Sequence, residues 1–355
     1  MDIIVSEKAL RAFMERAFEH EGFAAADACV IADVLMLADL FGIESHGAQR
    51  MMYYHQNIAS GSVDTNAQIE IVRETPVSAL LDAHFAMGQL SGVRAMKLAT
   101  QKAKKTGIGM VCVRNSSHYG IAGYYPLMAA KEGLCAFSMT NTGPIMVPTF
   151  GREMMLGTNP IAFCMPADPY PFWFDASTTV VTLGKVEVHA KREKPMPEGW
   201  TIDADGQIAT DADKMNKSIL AGEMGGILPL GGAGETHSGH KGYGLAIMVE
   251  ALTGVLAQGL MSPEMQGAHG DHTSHFFMAF DPGMFGEPEA IRAQMSRYLQ
   301  MLRDSEKLPG ESRIYTPGEK AFESMAKRQR EGIPVEEKTL NELRAIASEM
   351  SIESI

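Results

Sequence analysis

A chain of 355 residues, 45% hydrophobic and 21% charged, carries enough apolar material for a sizeable core and enough length for two domains. A net charge of −12, with no basic block as a local exception, excludes nucleic acid as a partner. No run approaches about 18 uncharged apolar residues, and the start, MDIIVSEKAL, has neither the basic region nor the apolar run of a secretion signal, so a cytoplasmic protein with no membrane partner is expected.

Residues 6–40 carry apolar side chains at three- and four-residue spacing, with Ser6 placed as an N-cap and Gly22 as a break, which predicts two or more helices. From about residue 69 the texture changes to short β-rich runs, IEIVRET, SALLDA, IGMVCVRN and CAFSMTNT. Helical stretches, GVRAMKLATQKAKKTG and YYPLMAAKEG, alternate with them, and the alternation predicts an α/β fold. The glycine-rich stretch from Gly222 to Gly244 is too short for an interdomain linker and reads as a shaped loop. An apolar helix, YGLAIMVEALTGVLAQG, overlaps its end, and charged amphipathic helices run from about residue 285. The two chain ends, 1–68 and 285–355, are therefore expected to pack as one helical domain beside an α/β domain over 69–284. Cys29, Cys112, Cys135 and Cys164 lie far apart in apolar segments with no CxxC pair, and are expected to be buried, reduced thiols. The 26 methionines read as flexible core filling.

No GxGxxG follows a predicted strand; Gly107 and Gly109 lead into a strand, which argues against a Rossmann domain. GxxxxGK[ST], HExxH and GxSxG are also absent, so phosphate loops, zincins and hydrolase elbows lack their marks. Three polar clusters remain. In GIESHGAQR, Ser45, His46 and Arg50 follow an apolar helix, and the four-residue spacing of His46 and Arg50 predicts one shared helix face. A guanidinium holds a carboxylate through two parallel hydrogen bonds, and an imidazole exchanges the proton of a reacting hydroxyl. In VRNSSHYGIAGYY a polar turn after a strand presents His118, a second acid/base candidate that physics alone does not rank against His46.

The third cluster, MTNTGPIMVPTFG with LGTNPIAF and FWFDASTTVVTLGK, ends strands in Thr, Asn, Asp and Ser, which suit ribose and phosphate oxygens but serve turns equally well. Lys241 precedes a helix, where a cation and helix-terminal amides suit a pyrophosphate. His269, His272 and His275 have metal-like spacing, yet no carboxylate-rich or cysteine partner completes a site, so no metal is expected.

Eight ordered segments, SHGAQR, NSSHYGIAGYY, TNTGPIMVPTFG, LGTNPIAF, FDASTTVVTLGKVE, PEGWTIDADG, GHKGYGLAIMVEALTGVL and TPGEKAF, resemble the malate/L-lactate dehydrogenase family of the non-Rossmann type. Its relatives include sulfolactate, ureidoglycolate and diketogulonate enzymes and a cyclic-imine reductase. The resemblance implies a homodimer in which a mixed-sheet α/β domain holds NAD or NADP and the helical domain closes over a 2-hydroxy or 2-oxo acid, malate or L-lactate foremost. It further implies His46 and His118 as acid/base residues and Ser45 with Arg50 as the substrate clamp. Thr142, Asp175, Ala176, Ser177, Lys241 and the late turn Pro317, Gly318 and Glu319 are the implied dinucleotide contacts. The stretches DKMNKSILAGEMGG and AHGDHTSH depart from the family pattern and bear on the substrate pocket. A metabolite-binding protein without chemistry is the rival from another class, disfavoured by the presence of both histidines; a metal-dependent hydrolase is a third.

Overall fold

The computed structural model describes residues 2–266 and 272–355. Strand β1 (Asp2–Val5) leads into α1 (Glu7–His20), α2 (Ala25–Leu40) and α3 (Met51–Ala59). Ser6 caps α1, its hydroxyl oxygen accepting from Ala9 N at 3.1 Å, and Gly22 turns the chain at φ +104°. Then come β2 (Glu70–Glu74), β3 (Ser78–Asp82), α4 (Gly88–Thr106), β4 (Ile108–Ser116), α5 (Tyr124–Ala130) and β5 (Cys135–Thr140). Next are β6 (Ile161–Met165), β7 (Phe172–Ala176), α6 (Leu183–Lys191), β8 (Thr201–Ile202), β9 (Ile208–Ala209), α7 (Ala212–Leu220) and β10 (Gly226–Ile227). Helix α8 (Gly239–Glu250) runs directly into a π-helical turn at Ala251–Val255. The chain closes with β11 (Thr273–Phe280), α9 (Pro288–Asp304), α10 (Glu319–Glu331), β12 (Ile333–Glu336) and α11 (Glu337–Met350).

Seven strands form one mixed sheet in the order β2-β3-β4-β11-β5-β6-β7. Only β3 and β4 run parallel, with α4 as the crossover between them; the other pairs are antiparallel. This is the α/β fold the alternation predicts. β11 comes late in the chain but sits at the centre of the sheet, and its run SHFFMA is nearly all buried, as a strand covered on both faces requires.

The two chain ends share a core: Leu10, Phe13 and Leu35 belong to one cluster with Leu343, Ile346 and Met350, and β1 pairs with β12. A separate core of Val147, Val186, Met215, Ile219 and Ile227 organises a small unit of α6, α7 and the three-stranded sheet β10-β8-β9. Met14, Met36, Met87 and Met96 fill the interior, whereas Met224, Met248 and Met301 are exposed. The cysteine expectation needs one correction: Cys112, Cys135 and Cys164 are buried, but Cys29 is exposed, because position 29 of α2 faces outward between the buried Ala28 and Ile31. No described helix is long and apolar enough to cross a membrane.

Candidate active site

After α2 the chain makes two 3₁₀ turns, Glu44–His46 and Ala48–Arg50, before α3 begins. The four-residue spacing of His46 and Arg50 thus does not place them on one α-helical face. Gly47, at ψ −138°, separates the turns, and a Cβ there would stand 2.0 Å from the Asp39 carboxylate. That carboxylate is buried at the end of α2 and accepts from Ala48 N at 2.8 Å, pinning the segment from below. Both side chains still reach the same cavity, which has a volume of about 550 Å³.

Arg50 donates through Nε to Ser45 O at 2.7 Å. Among the described residues this fixes the guanidinium while leaving its two terminal nitrogens uncommitted, the arrangement that grips a carboxylate. Its Cζ lies 5.9 Å from the Tyr53 ring. His46 Nδ1 lies 2.9 Å from Ser45 Oγ. His118 comes from the turn between β4 and α5, and its ring stacks on that of His46 with centroids 5.5 Å apart.

The two imidazoles differ in what meets Nδ1. Gly120 N donates to His118 Nδ1 at 3.4 Å, and Tyr54 Oη lies 2.7 Å from the same atom. A backbone N–H only donates, so Nδ1 is the acceptor, Tyr54 donates as well, and the proton of neutral His118 sits on Nε2. Ser45 Oγ can donate or accept, so His46 keeps either tautomer. Burial first, and then the charge of Arg50, push His46 down to about 4. Burial pushes His118 well below the usual histidine range, with His46, Arg50 and His275 adding to it. Both are therefore neutral near pH 7.

The opposite wall comes from the strand ends. Thr142 follows β5; Thr158 precedes β6 and donates from its N to Thr142 Oγ1 at 3.0 Å. Asp175, Ala176 and Ser177, at the end of β7, also line the cavity. Asp175 accepts from Gly123 N at 2.7 Å, and burial raises its carboxyl to about 6 against that bond. Thr182 and Leu183 bring the first turn of α6 to the cavity, and the small unit supplies Ile219 and Leu220.

The structure thus brings Ser45, His46, Arg50, His118, Thr142, Asp175, Ala176 and Ser177 together. It does not bring the other candidates into this lining. Lys241 is exposed in the first turn of α8. Pro317 accepts from Trp173 N at 3.4 Å, Gly318 packs on Trp173, and Glu319 pairs with Arg303 and Arg313 at 3.0 and 2.9 Å. Glu319 also accepts from Thr316 N, so this turn leads into α10 beside the strand that carries Asp175. Of the late histidines, His269 lies outside the described residues. His272 packs its ring on Phe85, and His275 is buried with Nδ1 and Nε2 each 2.8 Å from a hydroxyl, Thr140 and Ser116. No group of three metal-ligating side chains occurs among the described residues.

Sequence reasoning missed Tyr53 and Tyr54 and did not single out Thr158 or Thr182 within the strand-end cluster, whereas the stretch DKMNKSILAGEMGG, expected to bear on the substrate pocket, supplies Ile219, Leu220 and Gly222 to the lining. The two tyrosines had a signal, since they follow Arg50 at three and four residues and share its side of the chain.

Comparison with known proteins gives a consistent answer. A family model described as malate/L-lactate dehydrogenase matches residues 5–344. A malate dehydrogenase of Pyrococcus horikoshii is 43% identical over 355 residues, covering 99% of this chain and 97% of that one. A malate/(S)-sulfolactate dehydrogenase of Methanothermus fervidus is 34% identical, with 99% of each chain covered. The crystal structure of malate dehydrogenase from Entamoeba histolytica superposes with a TM-score of 0.96 at 33% identity, again over 99% of each chain.

Proposed function

The chain belongs to the malate/L-lactate dehydrogenase family, and from that premise we propose that it transfers a hydride between NAD and a small 2-hydroxy acid or the matching 2-oxo acid, with malate the first substrate and L-lactate the second. The observation that carries this reading is the meeting, in one cavity, of a guanidinium whose two terminal nitrogens have no partner among the described residues and two neutral imidazoles 5.5 Å apart. Arg50 fixes the C1 carboxylate, and Ser45, whose carbonyl holds Arg50, completes the clamp. His46, with a lone pair to offer in one tautomer, takes the C2 hydroxyl proton during oxidation and returns it during reduction. His118, whose Nδ1 lone pair is already met by Gly120 and Tyr54, serves as a fixed Nε2–H donor that polarises the C2 oxygen.

A dinucleotide fits the opposite wall. Thr142, Thr158 and Ser177 present hydroxyls of the kind ribose and phosphate oxygens need, Asp175 and Ala176 extend that wall, and an added Cβ on Gly143 would meet nothing within 4 Å, so the backbone there is open to close approach. The bound nicotinamide would supply or take the hydride at C2. NAD is the cofactor of this reading, with NADP its alternative. Lys241 and the turn Pro317, Gly318 and Glu319, outside the cavity lining, act on the cofactor's distal part.

In this reading, 1–68 with 285–355 form the substrate-side domain and 69–284 the dinucleotide domain; the core shared by α1, α2 and α11 supports the first of these. A homodimer in the cytoplasm completes the proposal. The outward apolar face at the π-helical turn after α8, with Val255 and Leu256 each 55% exposed, suits a second copy.

The test is the absorbance of reduced nicotinamide with purified protein, NADH or NADPH, and a panel of oxaloacetate, pyruvate, sulfopyruvate, diketogulonate and a cyclic imine. Rapid oxidation of NADH with oxaloacetate is expected. A response to another member alone reassigns the substrate within the family, to a sulfolactate, sugar-acid or cyclic-imine enzyme. Silence across the panel leaves ureidoglycolate oxidation or a binding protein.

A further inference from the structure

Behind the threonine wall of the cavity lies a buried carboxylate that the chemistry above does not use. Glu250, the last residue of α8, is 8% exposed. Its Oε1 accepts from Asn141 Nδ2 at 2.9 Å and Ser262 N at 2.8 Å. Its Oε2 accepts from Asn159 Nδ2 at 3.0 Å and Ser262 Oγ at 2.8 Å. A buried carboxylate is tolerated only where its lone pairs are filled, and here they are.

All four donors belong to segments that build or brace the cavity wall. The chain uses a similar pair twice, in Thr140-Asn141-Thr142 at the end of β5 and in Thr158-Asn159-Pro160 before β6. In each, the asparagine binds Glu250 while an adjoining threonine, Thr142 or Thr158, lines the cavity. The two wall segments touch directly: Thr158 N donates to Thr142 Oγ1, and the two hydroxyl oxygens are 3.4 Å apart. A Cβ on Gly157 would come within 2.2 Å of Thr142 Oγ1, so only glycine permits this approach. Gly157 N in turn donates to Ser262 Oγ at 3.2 Å, which links the glycine to Glu250 through one hydroxyl. Asn159 sits at φ +38°, a conformation that needs outside support, and its Nδ2 finds it in Ala246 O at 3.1 Å and in Glu250.

We propose that Glu250 is a positioning residue for the dinucleotide: by holding Asn141, Asn159 and Ser262 it sets the spacing of the Thr142 and Thr158 hydroxyls, and so the affinity for the cofactor, without touching either reactant. The inference rests on the reading of that wall as the cofactor side. Glu250→Gln keeps the shape but turns one acceptor into an NH₂ facing donors. Ser262→Ala leaves the carboxylate and removes one of its four bonds together with the Gly157 link. Dissociation constants come from fluorescence titration with NADH. They are read beside kcat and the KM of the 2-oxo acid at saturating NADH.

Loss of a hydrogen bond to a charged group predicts NADH binding weakened about tenfold in Glu250→Gln and about threefold in Ser262→Ala, with kcat and the 2-oxo acid KM within about twofold of the parent. A merely structural role would loosen both reactants together. Parental NADH affinity in the folded variants, or equal losses for NADH and the 2-oxo acid, overturns the proposal; if Glu250→Gln does not fold, Ser262→Ala decides alone. A parent that binds no NADH overturns the functional reading along with it, whereas a parent that binds while the variants bind equally well overturns the proposal only.

Discussion

The rings of His46 and His118 stack 5.5 Å apart, yet one presents Nδ1 to a rotatable hydroxyl and the other to two donors, Gly120 N and Tyr54 Oη. The asymmetry supports the proposed division of roles, because only a histidine with a lone pair available takes up a proton. His46→Ala is expected to lower kcat by roughly 100-fold or more while leaving the NADH dissociation constant near the parental value. Tyr54→Phe removes one neutral donor from His118 and is expected to cost a factor of about 2 to 10 in kcat/KM. Steady-state rates with NADH titrations check both. A His46→Ala enzyme at parental speed would move the proton-carrying role to His118.

Arg50→Ala removes the one guanidinium among the described lining residues. Losing a charge-assisted partner costs on the order of 1.5 to 3 kcal/mol, or about 10- to 150-fold in kcat/KM, carried mainly by KM for the carboxylate substrate. Arg50→Lys is expected to recover little of it, since an ammonium does not reproduce the planar fork. Unchanged kinetics in Arg50→Ala would take the residue out of the site.

Much of this was legible because the local rules agree with the fold: Ser6 caps α1, the alternation from residue 69 becomes the sheet, and the two chain ends share a core. The polar clusters around His46, His118 and Asp175 converge because strand ends and helix turns place them at one cavity. Three features were not legible. The 3₁₀ path from Glu44 to Arg50 depends on the tertiary contact of Asp39 with Gly47 and Ala48, which no spacing encodes. Glu250 looks like one more residue of an apolar helix until Asn141 and Asn159, about a hundred positions earlier, arrive beside it. The outward position of Cys29 turns on which side of α2 meets the core, and α2 is apolar nearly all round.

The pH profile of oxidation follows from His46. Free enzyme with this group at about 4 has it neutral, and ready to accept a proton, well below the ordinary histidine range. As pH rises, kcat/KM for the hydroxy acid is expected to climb through about 4 and to show no limb from His46 near 6.5. A carboxylate on Arg50 cancels part of the charge that depresses His46, so the corresponding limb of kcat is expected at higher pH than that of kcat/KM. A single limb near 6.5 in kcat/KM would contradict the buried, neutral imidazole.

His275 makes the matching prediction for stability. Burial lowers its pKa from 6.5 to about 3, so between those values the unfolded chain binds a proton that the folded one does not. Its contribution is therefore intact above 6.5 and falls as pH drops, by about a factor of ten in the folding constant per unit. Asp39 and Asp175 act in the opposite sense, since burial raises them to about 7 and about 6 and their folded-state protonation is lost as pH rises. The parent and His275→Asn share those carboxylates, so the difference between their urea midpoints isolates the histidine. The gap in favour of the parent is expected to narrow from pH 7 to pH 5; a gap independent of pH would mean that His275 titrates normally when folded.

Gly47→Ala tests whether the anchoring of the 44–50 segment matters to the chemistry. The added Cβ would stand 2.0 Å from the Asp39 carboxylate, which is already committed to Ala48 N, so the segment must lift or the carboxylate must turn away. Ser45, His46 and Arg50 would move with it, while Thr142 and Ser177 on the opposite wall would stay in place. The expected result is a fall of about 100-fold in kcat/KM for the 2-oxo acid, as misplacement of about an ångström produces, with the NADH dissociation constant little changed. Equal losses for both reactants would mean that the 44–50 segment supports the whole cavity and not the acid-binding side alone.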